Sequence, residues 1–538
     1  MTNIILINIL QQRSSGILLP LFSLPGPHGI GEIDQEAFAF IDFLKKSGQS
    51  CWQILPTGPI SPLFGNSPYM SSSAFAGSPL FIGTHSLVKQ GLVRAQDIPK
   101  IDFSPYQVSY SKVVTFKQEI LQQAWQRFPT LSENRDKLRH FVEQFPWVRE
   151  YGLFLVLKEK FCQRPWYEWP EDLRQHRKES CEQAEKQLQP LVDFHVFAQY
   201  LFNTQWQGLH QYAQTQSIHL IGDLPIYVAL DSVDVWANQE IFQLDRQTGL
   251  PTHVAGVPPD YFSAEGQRWG NPLYRWNAKC STVQHQLWGW WEQRLRHNFS
   301  LVDILRIDHF RGFESYWAVP AKEKTAINGC WQPGPGLPFF EAMDKRLGQM
   351  PIIAEDLGII TPEVEQLRRT LGFPGMKVLL FAFDGDPHNS YLPYNVEKSS
   401  VLYTGTHDND TAVGWYLNPE VAPEAKRRAK RYAYCFDDNA GSFHRELIHL
   451  ALASPANLAI LPMQDVLGFG NDCRMNTPGT TSGNWLWRCA DFFVTDDLAH
   501  WLAEQVQFFG RLPVPAARTP TEQTVFDTGG DPAASGQL

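Results

Sequence analysis

Short continuous apolar runs alternate along this chain with longer stretches in which apolar residues recur every third or fourth position, a rhythm that predicts strands and amphipathic helices in turn. Residues 17–24 read as a first strand. Residues 35–46 follow with helical spacing, placing Phe38, Phe40, Ile41, Phe43 and Leu44 on one side, and residues 50–56 return to an apolar strand. Six further strand segments recur at 219–223, 302–307, 351–354, 377–383, 401–404 and 458–463. Between them the spacing predicts a helix rich in Trp288, Trp290 and Trp291, another over 362–371 with Pro362 in its first turn, and two more within 423–452. Eight apolar runs alternating with helices imply a parallel sheet covered on both faces. Eight repeats fit a closed (β/α)8 TIM barrel better than an open sheet.

Three interruptions break the rhythm. A Ser-, Gly- and Pro-rich loop opens at Pro62 and carries Ser67-Pro68-Tyr69 and Ser73-Ala74-Phe75-Ala76-Gly77, too long for a simple connection and therefore a binding-loop candidate. The chain then becomes helical and charged to about residue 217, which predicts an inserted helical subdomain. Together these form an insertion at about 62–217. Irregular insertions are expected at about 224–275 and 312–350. The barrel body thus spans 13–512, preceded by a 12-residue extension and followed by a polar tail, 513–538, whose scattered Pro and Gly predict disorder.

Composition narrows the class. A chain of 538 residues with 43% hydrophobic residues can bury a large core alone, as a monomer or small homo-oligomer. The net charge of -10, without clusters of Lys and Arg, disfavours nucleic acid as a partner. The 18 Trp, 17 Tyr and 35 Phe permit a sugar-binding site, because apolar sugar faces pack on rings, although most such rings serve cores. The cysteines Cys51, Cys162, Cys181, Cys280, Cys330, Cys435, Cys473 and Cys489 show neither C-x-x-C nor zinc spacing, and read as free thiols of a reducing compartment. The apolar opening, residues 1–10, lacks a basic flank and a cleavage site and is interrupted by Asn8, and no other run is long enough to span a bilayer. The expectation is a cytoplasmic protein with no membrane partner.

Three acidic motifs each end an apolar run: Arg306-Ile307-Asp308-His309, Ala354-Glu355-Asp356-Leu357-Gly358 and Thr406-His407-Asp408-Asn409-Asp410. Strands that stop at carboxylates around a parallel barrel gather acids at one rim, the arrangement glycosidic-bond chemistry requires. Each motif has a plainer reading. Asp308 could be a helix N-cap, but Arg306, two residues earlier on the same strand face, can hold it ionised as a nucleophile. Glu355 competes with Asp356, one of which could be a cap or an ion pair. A general acid needs a raised pKa, which a neighbouring carboxylate supplies. The oxygen-rich 407–410 stretch could hold a metal, but no Asp-x-Asp-x-Asp-Gly loop accompanies it, so a hydroxyl-gripping Asp408 is preferred and neither metal nor cofactor is expected.

Taken in order, Asp223 in Ile-Gly-Asp-Leu-Pro-Ile-Tyr-Val, Arg306 with Asp308, Glu355, and His407 with Asp408 resemble the four motifs of the amylase-type clan. More narrowly, the 256–264 and 266–272 segments (Gly-Val-Pro-Pro-Asp-Tyr-Phe-Ser-Ala and Gly-Gln-Arg-Trp-Gly-Asn-Pro) resemble the lid loop of the 4-alpha-glucanotransferases of glycoside hydrolase family 77, a resemblance covering roughly 13–510. It implies that Asp308 attacks the anomeric carbon, that Glu355 is the acid and then the base, and that Asp408 grips hydroxyls of a distorted donor sugar. It further implies that His407 and Asp223 hold that sugar, that Tyr69 stacks on it, and that Tyr261 and Trp269 belong to a lid on the acceptor side. The substrates implied are alpha-1,4-glucans and maltooligosaccharides. Met70 and Ser78 depart from the expected Gln and Asn.

On this reading Asp308 and Glu355 stand about 5 to 5.5 Å apart, the spacing of a retaining double displacement, and a lid stiffened by Pro258 and Pro259 excludes water so that transfer beats hydrolysis. Two rivals remain: an amylase-type hydrolase, disfavoured because Asp223 is followed by Leu-Pro-Ile-Tyr rather than Asn-His, and a non-catalytic glucan binder, disfavoured by three intact acids.

Overall fold

In the computed structural model, which describes residues 9–128, 134–259, 263–437 and 439–513, the eight apolar runs close into one parallel barrel. In chain order the strands are β1 (Ser14–Leu18), β2 (Cys51–Gln53), β3 (His219–Pro225), β4 (His253–Val257), β5 (Gln267–Pro272) and β6 (Ile304–Asp308). The rest are β7 (Ser315–Pro320), β8 (Cys330–Pro333), β9 (Ile352–Ala354), β10 (Gly375–Val378), β11 (Ser400–Tyr403) and β12 (Leu458–Pro462). The barrel runs β1-β12-β11-β10-β9-β6-β3-β2 and closes on itself, with neighbouring barrel strands parallel. Its strands are buried almost without interruption because helices cover them outside and side chains fill them inside, which is why they read as continuous apolar runs.

Helices Gln35–Lys46 and Pro362–Leu371 have the bounds their periodicity predicts. Several strands are shorter than their apolar runs. The first stops at Leu18, ahead of Pro20 and a 3-10 turn at Leu21–Ser23, since proline has no N–H to continue a ladder. The 377–383 run is strand only to Val378 and then turns at Leu379–Phe381.

The insertions at 224–275 and 312–350 are more regular than their sequence suggests. They combine into a four-stranded sheet in the order β5-β4-β7-β8, with antiparallel pairing throughout. Its strands are short, β5 and β8 are partly exposed, and β4 carries Gly256, where a Cβ would meet Gln267 O at 2.4 Å. Such strands give little alternation to read. The β4–β5 hairpin carries the segment that resembles a lid; its residues 260–262 lie outside the described residues, and so do the N-terminal residues 1–8 and the tail from 514 onward.

The segment before β3 is helical, with helices Tyr110–Arg127, Asn134–Gln144, Trp147–Lys160 and Lys178–Thr215. The last, 38 residues long, also packs on Gln35–Lys46 and on β3, so the insertion ends as one of the barrel's own covering helices. It clamps the long loop after β2. Gln199 accepts from Gly77 N at 2.9 Å and donates to Gly77 O at 2.8 Å, while Gln205 Oε1 accepts from Gly83 N at 2.6 Å. Gly77 is required here, because a Cβ would meet the Phe202 ring at 2.1 Å.

A buried ion pair fixes the same region to the barrel. Lys117 Nζ donates to Glu32 Oε1 and to Ile82 O, and both side chains are almost wholly inaccessible. Burial would raise Glu32, but Lys117 and His28 outweigh it and hold Glu32 down to about 2. This contribution to stability is present above the ordinary carboxyl range and is lost as the pH falls toward 2. Lys117→Met leaves Glu32 buried without its cation and is expected to cost about 3 to 5 kcal/mol. Urea unfolding at pH 7 and pH 4 checks this: the loss shrinks at pH 4, where the unpaired carboxyl protonates.

Candidate active site

All the polar groups of the site stand at the carboxyl ends of barrel strands, where the loops of such a barrel converge. Asp223 on β3 is in register with Arg306 on β6, and Ile307 on β6 is in register with Ala354 on β9. Asp308 and Glu355 each follow that last pair directly along the chain. Glu355 N donates to Ile307 O at 3.1 Å, which carries the pairing to the rim. Adjacent strands lie roughly 4.8 Å apart, so this register places the two acidic residues at the ends of neighbouring strands.

Arg306 is the hub beneath them. Its Nη1 donates to both oxygens of Asp223, at 2.7 and 2.6 Å, and its Nη2 lies 3.0 Å from Asp308 Oδ1. Arg306 therefore does contact Asp308, but its two-oxygen grip is on Asp223, whose side chain is 0% exposed. Asp223 also accepts from Tyr69 OH at 2.8 Å. With its proton spent there, Tyr69 accepts from His407 Nε2, 2.9 Å away, which fixes the Nε2–H tautomer. Burial pushes the Tyr69 hydroxyl well up and the His407 imidazole down, so both stay neutral near pH 7. The two rings stack at 5.3 Å, and Trp485 packs against each of them at 5.9 Å. The Trp485 carbonyl is itself held by Tyr110 OH at 2.8 Å, so the helical insertion supports the floor of the site.

Glu355 is locked from two sides. Its Oε2 accepts from His309 N at 2.7 Å and its Oε1 from Leu357 N at 2.8 Å. Asp356 points elsewhere, accepting from Met376 N at 2.7 Å and pairing with Arg368 Nε at 3.1 Å, which ties β9 to β10 and to helix Pro362–Leu371. Gly375 makes room for it, since a Cβ there would lie 2.3 Å from Asp356 Oδ2. That settles which of the two acids faces the rim.

Burial raises both Asp308 and Glu355 above the ordinary carboxyl range; Arg306 opposes the rise in each, and their mutual repulsion raises Asp308 further. Two such groups titrate as a pair. Asp308 alone of the two touches the guanidinium and is nearly a third exposed, which makes it the better seat for the charge and leaves the shared proton to Glu355.

Asp408 is half exposed at the mouth, 3.5 Å from His407 Nε2. Asn476 Nδ2 donates to its Oδ1 at 2.6 Å and Arg474 Nη2 to its carbonyl at 2.8 Å. Neither partner carried a sequence signal. The rest of the oxygen-rich stretch is engaged in its own turn: Asn409 Oδ1 accepts from Thr406 N and Oγ1, both at 2.9 Å, and Asp410 Oδ2 accepts from Asn471 at 2.8 Å. Buried Asp465, raised to about 6 by desolvation, holds the loop by accepting from Thr404 Oγ1 at 2.5 Å and Ala412 N at 2.7 Å. Asn476→Ala removes a hydrogen bond to a charged group, worth about 1.5 to 3 kcal/mol, and is expected to lower kcat roughly 10- to 150-fold with little loss of thermal stability. Steady-state kinetics beside a melting curve checks it.

Of the remaining predicted residues, Trp269 stands on β5, its ring 4.8 Å from His309 and 6.3 Å from Tyr227. Tyr261 lies outside the described residues. Met70 Sδ is 3.6 Å from Asn271 Nδ2, and Ser78 is 1% exposed, too deep to touch a ligand. Among the described residues all eight cysteines are free thiols, and no helix is long and apolar enough to cross a membrane.

Comparison with known proteins agrees with this geometry. A family model described as 4-alpha-glucanotransferase matches residues 19–494. A 4-alpha-glucanotransferase of a Synechocystis species is 46% identical over 510 residues, 94% of this chain and 98% of the relative, and that of Thermus thermophilus is 44% identical over 88% and 94%. The solved amylomaltase from Streptococcus agalactiae in complex with acarbose superposes with a TM-score of 0.89 at 36% identity, over 93% of this chain and 100% of that one.

Proposed function

The chain belongs to the 4-alpha-glucanotransferase family, glycoside hydrolase family 77, and on that premise we propose that Asp308 and Glu355 carry the two halves of a retaining glycosyl transfer at this rim. The activity is transfer of a segment of an alpha-1,4-glucan to the 4-hydroxyl of glucose or another glucan. The observation that supports these roles is that Asp308 and Glu355 directly follow the paired Ile307 and Ala354 of β6 and β9, with Glu355 N bonded to Ile307 O at 3.1 Å.

Asp308 attacks the anomeric carbon from one face while Glu355 protonates the departing 4-oxygen, and a covalent glycosyl-enzyme forms. The shortened glucan leaves. Glu355, now ionised, takes the proton of an incoming 4-hydroxyl, whose oxygen attacks the same carbon and restores Asp308. Asp408 holds hydroxyls of the distorted donor sugar, and Tyr69 with His407 lines the same subsite. Asp223, whose side chain has no exposed surface, serves by fixing Arg306 and through it the charge on Asp308. Trp269 and Tyr261 belong to the acceptor-side lid. The free thiols support a reducing, cytoplasmic setting.

A raised Glu355 keeps its proton to a higher pH than an ordinary carboxyl and loses the role of donor as the pH climbs through its pKa. The basic limb of kcat/KM is therefore expected above the ordinary carboxyl range. Incubation with maltotriose tests the activity itself: longer glucans together with glucose are expected, whereas shorter sugars alone would mark a hydrolase.

A further inference from the structure

Arg306 is gripped unevenly. Both of its bonds to Asp223 leave from one nitrogen, Nη1, at 2.7 and 2.6 Å, so they hold a point of the guanidinium and not its plane. A guanidinium is a flat, rigid fork, and a pivot about Nη1 would carry Nη2 away from Asp308 Oδ1, which lies 3.0 Å from it. A third contact sets the angle: Nε donates to Met376 Sδ at 3.3 Å.

Met376 is a firm seat for that contact. It stands on β10, pairs with Val401 of β11 and is 1% exposed. Its backbone N–H is taken by Asp356 Oδ1 at 2.7 Å, and Asp356 is paired in turn with Arg368 Nε at 3.1 Å. The acid that turns away from the rim therefore anchors the strand position from which the sulfur reaches the guanidinium. A thioether is a weak, polarisable acceptor. It satisfies the buried N–H without competing with the two carboxylates for the charge of the arginine.

We propose that Met376 is a positioning residue whose sulfur fixes the plane of the Arg306 guanidinium and so keeps Nη2 on Asp308. This rests on the role of Asp308 as nucleophile given above. The charged and titratable groups around the pair are Asp223, Tyr69, Glu355 and Asp408, with Tyr403 and His407 facing Arg306 from β11 and the loop after it. A substitution at 376 leaves all of them in place. Arg306 opposes the rise of the Asp308 pKa, so a guanidinium that swings away lets that pKa climb. The nucleophile then ionises only at higher pH.

Maltosyl fluoride isolates this step. A bond forms between the Asp308 carboxylate and the anomeric carbon as fluoride ion departs, and no acid is required, so fluoride release reports the nucleophile. Met376→Leu nearly conserves the volume of the side chain and removes the acceptor. It is expected to lower kcat/KM for fluoride release by roughly three- to tenfold, the scale of one hydrogen bond, and to move the acidic limb up by about half to one pH unit, with a melting curve close to wild type. Met376→Gln returns an acceptor to the same place and should bring the limb back toward its wild-type position. An unmoved limb in a folded Met376→Leu, or an equal displacement in both variants, would overturn the proposal, because either result leaves Met376 as filling alone. Asp308→Asn assayed in parallel separates this claim from the one beneath it: sustained fluoride release there would count against Asp308 as nucleophile, not against the seat of Arg306.

Discussion

Asp308→Asn is expected to lower kcat for glucan transfer by roughly 10⁴- to 10⁶-fold, the scale on which removing one member of a catalytic unit acts. The reason is local. Asparagine keeps the volume at the end of β6 and can still meet Arg306 Nη2 through its carbonyl oxygen, but an amide is a poor nucleophile toward an anomeric carbon. The fold should survive, because the side chain is partly exposed and Arg306 keeps its two bonds to Asp223. A melting curve within a few degrees of wild type, beside product analysis by chromatography, checks both halves. A variant that retains more than about one per cent of the rate would show that the nucleophile is elsewhere.

The second large effect is that of Glu355→Gln, which should depend on the leaving group. A glucan leaves as an alcohol and needs the proton; loss of a general acid costs about 10²- to 10⁴-fold, and loss of the same group as base slows the second step as well. Fluoride leaves without help. With maltosyl fluoride the first step should remain fast while the second stalls, so the glycosyl-enzyme accumulates. The two backbone donors that hold Glu355, His309 N and Leu357 N, can still meet the glutamine carbonyl oxygen only one at a time, so a small loss of order at the rim is expected too. An equal rate loss with glucan and fluoride donors would mean that Glu355 serves position alone.

Much of this architecture was legible because its strands are buried on both faces and end at acids. The continuous runs before Asp223, Asp308, Glu355 and Asp408 announce both the barrel and its rim. What stayed hidden has a common physical character. Asn476 reaches Asp408 across 68 residues, Gln199 reaches Gly77 across 122 and Tyr110 reaches Trp485 across 375, and no local period encodes such pairings. The small sheet of β4, β5, β7 and β8 escaped because its strands are short, β5 and β8 are partly exposed, and glycine and proline interrupt them. Arg306 illustrates a partial reading. Spacing alone placed it on the face of Asp308, but only the register of β3 with β6 gives it Asp223 as the stronger partner.

The helical insertion also gains a role that its sequence left open. Gln199 and Gln205 pin the loop that presents Tyr69, and Tyr110 pins Trp485 behind it, so the insertion shapes the rim around Tyr69.

The most direct test is a mass measurement on Glu355→Gln after brief exposure to maltosyl fluoride, followed by digestion and peptide mapping. The account predicts one added glycosyl group, carried by the peptide that contains Asp308, and released glucan of unchanged anomeric configuration once an acceptor is supplied. No adduct, an adduct on another carboxylate, or an inverted product would contradict it.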